Sequence, residues 1–173
     1  HNGIIENYIG LKEALVKDGY EFSSQTDSEL IAHLLDSYLE KGNSMIDAMY
    51  LAKEKLEGAY AIAAIDMDNN NSLVVARNKS PLLLGIGTDE MLAASDPLAI
   101  GQLTNEFVFL EDGDVAEISA ESYKIFNENK KEVEREISNI DISSQATSKG
   151  VYKHFMEKEI YEQPEAILNT LDG

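Results

Sequence analysis

Amphipathic helices come first in this chain and strands come afterwards, and that segregation limits the fold more than any other feature. Thr26-Asp27-Ser28-Glu29 reads as a capping box, with Thr26 as the cap and Glu29 reaching back to it. The helix it opens lays Leu30, Ile31, Leu34, Leu35, Tyr38 and Leu39 on one broad face and stops at Gly42. A second helix follows from a Ser44 cap, with Ile46, Met49, Tyr50, Lys53 and Leu56 about one turn apart. From Ala59 the texture switches to strands. Ala59 to Met67 is a nearly continuous apolar run, joined through Asp68-Asn69-Asn70-Asn71 to Ser72–Arg77 as the hairpin of a buried sheet. Further strands are expected at 81–86, 91–94, 107–110, 115–119 and 123–127, with Gly87, Asp96-Pro97 and Asp112-Gly113 between them. Two helices with a short join, then antiparallel-looking strands, predict a layered α+β domain rather than an alternating doubly wound one. Gly85-Ile86-Gly87 lacks the third glycine and the following helix of a phosphate loop, so it is read as strand or turn.

The ends are organised differently. A strand-like opening segment precedes a short helix over Leu11–Asp18, stopped by Gly19, and Tyr20-Glu21-Phe22 alternates like a brief strand. Residues 129–149 are polar and end serine-rich, which predicts a linker. Phe155 to Leu171 regains helical spacing, interrupted at Pro164.

Composition narrows the partners. The 173 residues can bury a real core, and 43% of them are hydrophobic. Thirty-two acidic against 14 basic residues give −18, a field that repels nucleic acid and anionic membrane surfaces. No stretch has the apolar length of a membrane span. Cysteine is absent, which excludes disulfides and thiolate chemistry within the chain and fits a cytoplasmic setting. His1, His33 and His154 stand far apart without metal-ligand spacing, so neither a metal nor a cofactor is expected.

Chemistry concentrates in His1-Asn2-Gly3-Ile4-Ile5-Glu6-Asn7. Asn2 and Gly3 set a side-chain amide beside an unshielded backbone N–H, two donors that could hold a developing oxyanion. The same dipeptide is also the commonest tight turn. Asp27, in the first turn of a helix, is stabilised by the macrodipole with or without a ligand. His33 falls among apolar neighbours as a partly buried structural histidine. Glu6, Asn7 and Tyr8 are expected to support the opening loop, and Ser95-Asp96-Pro97 is a turn with an Asx-type cap.

Together these segments resemble one family, the glutamine-hydrolysing half of glucosamine-6-phosphate synthase, also called glutamine–fructose-6-phosphate aminotransferase (isomerizing). The opening heptad, Thr26-Asp27-Ser28-Glu29 with Ile31-Ala32-His33-Leu34, and Leu56-Glu57-Gly58-Ala59-Tyr60 match its pattern. So do Ser80-Pro81-Leu82, Ala94-Ser95-Asp96-Pro97-Leu98-Ala99 and Phe109-Leu110-Glu111-Asp112-Gly113-Asp114. The discriminating piece is His154-Phe155-Met156-Glu157-Lys158-Glu159-Ile160-Tyr161-Glu162-Gln163-Pro164, which is similar to the join between glutaminase and sugar-isomerase halves.

The resemblance implies an N-terminal-nucleophile hydrolase-like αββα sandwich of antiparallel sheets, truncated at its N-terminal side. It implies a partial glutaminase domain over 1–128, a polar linker over 129–149, and a linker helix over 150–173 leading to an isomerase domain. Asn2 and Gly3 align with the oxyanion pair, Gly3 also with a substrate contact, and Asp27 with the carboxylate that grips the α-ammonium of glutamine. Ammonia would then serve to convert fructose 6-phosphate to glucosamine 6-phosphate. The implied partners are glutamine, the chain's own isomerase domain and N-terminal segment, and further copies in a homo-oligomer, with no nucleic acid or membrane. The attacking cysteine of the family, and the arginine and threonine that hold the substrate carboxylate, have no counterpart in this sequence. The chain alone is therefore expected to be inactive. Two other readings stay open: another amidotransferase of this type with a different acceptor, and a non-catalytic glutamine-sensing or interaction module.

Overall fold

The computed structural model describes residues 1–68, 71–142 and 149–172. The chain opens with strand β1 (Asn2–Ile5) and three helices, α1 (Tyr8–Lys17), α2 (Asp27–Leu39) and α3 (Met45–Lys53). Eight strands follow: β2 (Gly58–Ile65), β3 (Leu73–Asn78), β4 (Leu83–Ile86), β5 (Met91–Ala94), β6 (Glu106–Phe109), β7 (Val115–Ile118) and β8 (Tyr123–Phe126), with the short β9 (Glu132–Val133) closing that run. Strand β10 (Ile137–Asn139) and helix α4 (Phe155–Asp172) complete the described elements.

Two antiparallel sheets result. One has the order β1-β2-β3-β7-β8-β9 and the other β10-β6-β4-β5. The period-2 alternation of the first sheet decides what each face covers. Tyr60 and Ile62 of β2 and Val74 and Ala76 of β3 turn towards the helices, where Leu30, Ile31, Leu34, Met49 and Tyr50 close over them. Ala61, Val75 and Ala116 turn the other way and pack on Leu84 and Val108 of the second sheet. A third cluster of Leu83, Ile100 and Phe107 covers the far side of that sheet, helped by a single 3₁₀ turn at Pro97–Ala99. The apolar run of β2 is thus explained by burial on both faces. Its far end is not covered, and Ile65 and Met67 are 58% and 89% exposed.

Several local expectations change. Helix α1 begins at Tyr8 rather than Leu11, and Asn7 ahead of it makes no side-chain cap. Ser44 caps α3 as expected, accepting from the Asp47 N–H at 3.1 Å and donating to its carboxylate at 2.7 Å. Tyr20-Glu21-Phe22 is not a strand, because no neighbouring strand is there to pair with it. Its two rings instead pack on His33, with centroids 5.1 and 4.6 Å away. Helix α4 runs through Pro164 without a break; the carbonyl of Ile160, deprived of its partner, lies in an exposed stretch that water can serve. Asn69 and Asn70 of the expected hairpin turn lie outside the described residues.

The stretch expected as a polar linker, 129–149, carries more structure than its composition suggests. Glu132–Val133 pairs with β8 at the edge of the first sheet, and Ile137–Asn139 pairs with β6 in the second. Between them Arg135 reaches into the core. Its Nε and Nη2 donate to Asp114, each at 2.9 Å, and Asp114 is fully buried. Hydrogen bonding to Asp114 raises the Arg135 pKa further above its ordinary value, against the opposing effect of desolvation. This ion pair does for the segment what apolar residues do elsewhere, so hydropathy could not reveal it. Positions 143–148 of the expected linker fall outside the described residues.

Candidate functional site

The Asn2-Gly3 pair is not a turn. Both residues lie in β1, opposite Ala61 and Tyr60 of β2. The pairing depends on two glycines. Gly3 has φ +109°, and a Cβ there would stand 2.0 Å from the Ala59 carbonyl oxygen. Gly58 has φ +121°, and a Cβ there would stand 2.2 Å from the Ile4 carbonyl oxygen. Only residues without a side chain let the two backbones lie this close. The loop after β1 is fixed from the same direction. The Glu6 N–H donates to Glu57 O at 2.9 Å, while the Asn7 amide donates to Lys55 O at 2.7 Å and accepts from the Glu57 N–H at 3.1 Å. Asn7 is spent on this clamp, which is why it does not cap α1.

Strand parity sets the rest of the geometry. The Glu6 N–H faces β2, so the N–H groups of Ile5 and Gly3 face the other way, towards α2. Asp27, the first residue of α2, meets them. Its Oδ2 accepts from the Ile5 N–H at 3.0 Å, across 22 residues of sequence. In a regular strand the Gly3 N–H lies about 7 Å further along that side. Asn2 is exposed, and among the described residues none hydrogen-bonds its side-chain amide. The His1 ring is tucked in, with Nδ1 3.0 Å from Ser28 Oγ and 3.6 Å from Asp27 Oδ1. Gly3 and Asp27 therefore meet on one side of β1, while Asn2, opposite Ala61, stands on the face turned towards the second sheet. A cleft of ≈ 460 Å³ opens past His1 and Ser28, lined also by Ile31, Leu35, Ile62 and Ile65; Asn2, Gly3 and Asp27 are not among its lining residues.

Glu29 departs from the expected capping box. Thr26 holds the extended backbone of an N-cap, φ −85° and ψ 143°, but its side chain makes no bond into the helix. Glu29 reaches beyond it. Oε1 accepts from the Ser23 N–H at 2.6 Å and the Ser23 hydroxyl at 2.9 Å. Oε2 accepts from the Ser24 N–H at 2.7 Å and from the Ser24 hydroxyl. The Ser24 hydroxyl bond, then the Ser23 N–H, hold the Glu29 pKa down at about 2. Because the Ser24 proton goes to Glu29, its oxygen is left to accept from the Thr26 N–H at 3.2 Å and the Thr26 hydroxyl at 2.9 Å. His33 Nε2 stands 3.6 Å from Glu29 Oε1 with no hydrogen-bond partner, its ring held between Tyr20 and Phe22. The signal that could have exposed this network was the Ser23-Ser24 pair just ahead of the helix, two small donors in an otherwise unassigned loop.

Among the described residues no group of three or more His, Cys, Asp or Glu side chains could hold a metal ion. No helix among them is long and apolar enough to cross a membrane.

Residues 1–102 match a family model described as a glutamine amidotransferase domain. The chain belongs to that family. It is 48% identical over all 173 residues to the glutamine–fructose-6-phosphate aminotransferase (isomerizing) of Haemophilus ducreyi, and 46% identical to that of Escherichia coli O6:H1. It spans 28% of the length of each of these relatives. A solved structure of glutamine phosphoribosylpyrophosphate amidotransferase from B. subtilis, complexed with ADP and GMP, aligns with a TM-score of 0.57 at 23% identity. That likeness covers 82% of this chain and 28% of the other, and it establishes the expected α+β fold of antiparallel sheets and helices.

Proposed function

We propose that this chain is the glutamine-holding part of the glutaminase domain of a glutamine–fructose-6-phosphate aminotransferase (isomerizing). The observation that supports it is the hydrogen bond between Asp27 and Ile5, which brings a carboxylate to the side of β1 on which the Gly3 N–H points. Asp27 Oδ2 is occupied by a backbone amide, so Oδ1 is the oxygen that receives the α-ammonium of glutamine. One pleat along the strand, the Gly3 N–H and the Asn2 amide receive the side-chain carbonyl. The Ile5 and Gly3 N–H groups stand about 7 Å apart along the strand, a span of the same order as an extended amino-acid side chain.

In this reading a nucleophile attacks the amide carbon and pushes the carbonyl electron pair onto oxygen. The Asn2 and Gly3 donors stabilise that negative charge, and collapse of the intermediate breaks the C–N bond and releases ammonia. The chain has no cysteine, so the nucleophile belongs to a part of the protein outside this sequence. Ammonia then passes to an isomerase domain that converts fructose 6-phosphate to glucosamine 6-phosphate, with residues 150–173 leading towards it. The protein works in the cytoplasm as a homo-oligomer.

The test uses the full-length protein that carries this chain. Asp27→Asn should raise KM for glutamine by roughly ten- to a hundredfold with little change in kcat, the value of a charge-assisted hydrogen bond made equally in ground and transition states. Asn2→Ala should instead lower kcat by about 10²–10³. An unchanged KM in Asp27→Asn overturns the assignment of the ammonium anchor. Absence of glucosamine 6-phosphate from a reaction with glutamine and fructose 6-phosphate overturns the choice of acceptor.

A further inference from the structure

We infer that Glu29 is a positioning residue for glutamine binding, acting through the Ser23–Thr26 turn to aim the Asp27 carboxylate. The inference rests on the reading of Asp27 as the ammonium anchor and extends it to a residue that never meets the substrate.

The contacts form one continuous path. Glu29 gathers four donors, the N–H and hydroxyl groups of Ser23 and Ser24, onto its two carboxylate oxygens. Ser24 passes the constraint to the N–H and hydroxyl of Thr26. Thr26 is covalently followed by Asp27, whose Oδ2 lands on the Ile5 N–H. Asp27 is thereby held between a pinned turn on one side and the body of α2 on the other. An ordinary capping box would return Glu29 to the amide of Thr26 itself and leave the turn ahead of it unattached. Here the carboxylate skips the cap and ties down the two residues beyond it. Lys12 adds to the enclosure, with Nζ 4.6 Å from the Phe22 ring centroid and 3.5 Å from Ser24 O. The Glu29 side chain is only 16% exposed, so water does not readily replace the serine donors.

Replacing Glu29 by glutamine removes the charge and puts an amide NH₂ against at least two of the four donors. The turn must then open, and Asp27 loses its fixed approach to β1. A misplacement of about 1 Å in a substrate-holding group typically costs up to about a hundredfold. The loss should fall on the one contact Asp27 makes with the ligand, the α-ammonium, and not on the rest of the ligand.

The experiment compares two competitive inhibitors of glutamine hydrolysis in the full-length protein: L-glutamate, which has the α-ammonium, and glutarate, which lacks it. Glu29→Gln should raise the inhibition constant of L-glutamate roughly ten- to a hundredfold and move that of glutarate less than about twofold. Equal shifts for both ligands mean that Glu29 only supports the fold, and no shift for either means that the turn does not depend on it; each result overturns the inference. Asp27→Asn is the companion measurement. If it fails to discriminate L-glutamate from glutarate, the anchor reading itself is wrong; if it discriminates and Glu29→Gln does not, only the positioning role falls. Should Glu29→Gln not fold, Ser24→Ala removes the hub of the same path and is read by the same ratio.

Discussion

Replacing Gly3 by alanine adds one methyl group aimed at the backbone of β2, and the cost can be worked from two terms. The first is conformational: at φ +109° a residue with a Cβ carries a backbone penalty of about 1–3 kcal/mol. The second is steric. The new Cβ would stand 2.0 Å from the Ala59 oxygen, where a tolerable contact needs at least about 3 Å, so β1 must retreat by about 1 Å, an overpacking cost of roughly 1–3 kcal/mol. Together these come to about 4 kcal/mol, which for a chain of this size lowers Tm by roughly 8–16 °C. Thermal unfolding followed by far-ultraviolet circular dichroism measures it directly. Gly10 supplies the opposite control. It sits inside α1 with nothing within 4 Å of an added Cβ, so Gly10→Ala should stabilise by about 1 kcal/mol and raise Tm by roughly 2–4 °C. A Gly3→Ala variant that melts within about 3 °C of the parent refutes the argument that this glycine is required by the approach of the two strands.

Two further outcomes follow from charges. Arg135→Ala strips the fully buried Asp114 of its bidentate partner and should cost about 3 kcal/mol in urea unfolding, whereas exposed Arg-to-Ala changes cost well under 1. The folded pKa of Glu29 is depressed, from 4.5 to about 2, so its latch stabilises the fold fully above its unfolded pKa and loses that contribution as pH falls through about 2. The urea midpoint of Glu29→Gln should therefore lie below that of the parent at pH 7 and converge on it as pH is lowered from about 4.5 towards 2; a gap that stays constant over this range contradicts the ionised latch.

Much of the fold was legible because it rests on burial that repeats with a period. The α2 positions Leu30, Ile31, Leu34 and Leu35 read as a helix face and are the buried residues of that helix. The continuous run from Ala59 read as a strand covered on both sides, and Tyr60 and Ala61 do face different cores. What stayed hidden was structure held by polar contacts between distant residues. Strands β9 and β10 were expected as linker because Glu132, Arg135 and Ser138 carry no hydrophobic signal, and the Asp114 that receives Arg135 lies 21 residues away. Tyr20-Glu21-Phe22 had the alternation of a strand but no strand to join. Alternation reports that every second side chain is wanted by something, and there the thing wanted was the face of His33.

The site divides along the same line. Asn2 and Gly3 could be a turn or a donor pair on local chemistry alone, and only the register against Ala61 and Tyr60 removes the turn. Asp27 was equally indifferent, since an acid at a helix N-terminus is favoured there whatever it faces. The Ile5 amide, 22 residues away, takes one carboxylate oxygen, a contact that no local rule could supply. Glu29 shows how a local rule can name the right residue for the wrong partner. Its position three residues after Thr26 predicted a reach backwards, and it does reach backwards, but past the cap to Ser23 and Ser24. The difference matters because an exchange within the cap would steady only the helix end. A carboxylate that holds the turn ahead of the helix steadies the residue between them, and that residue is Asp27.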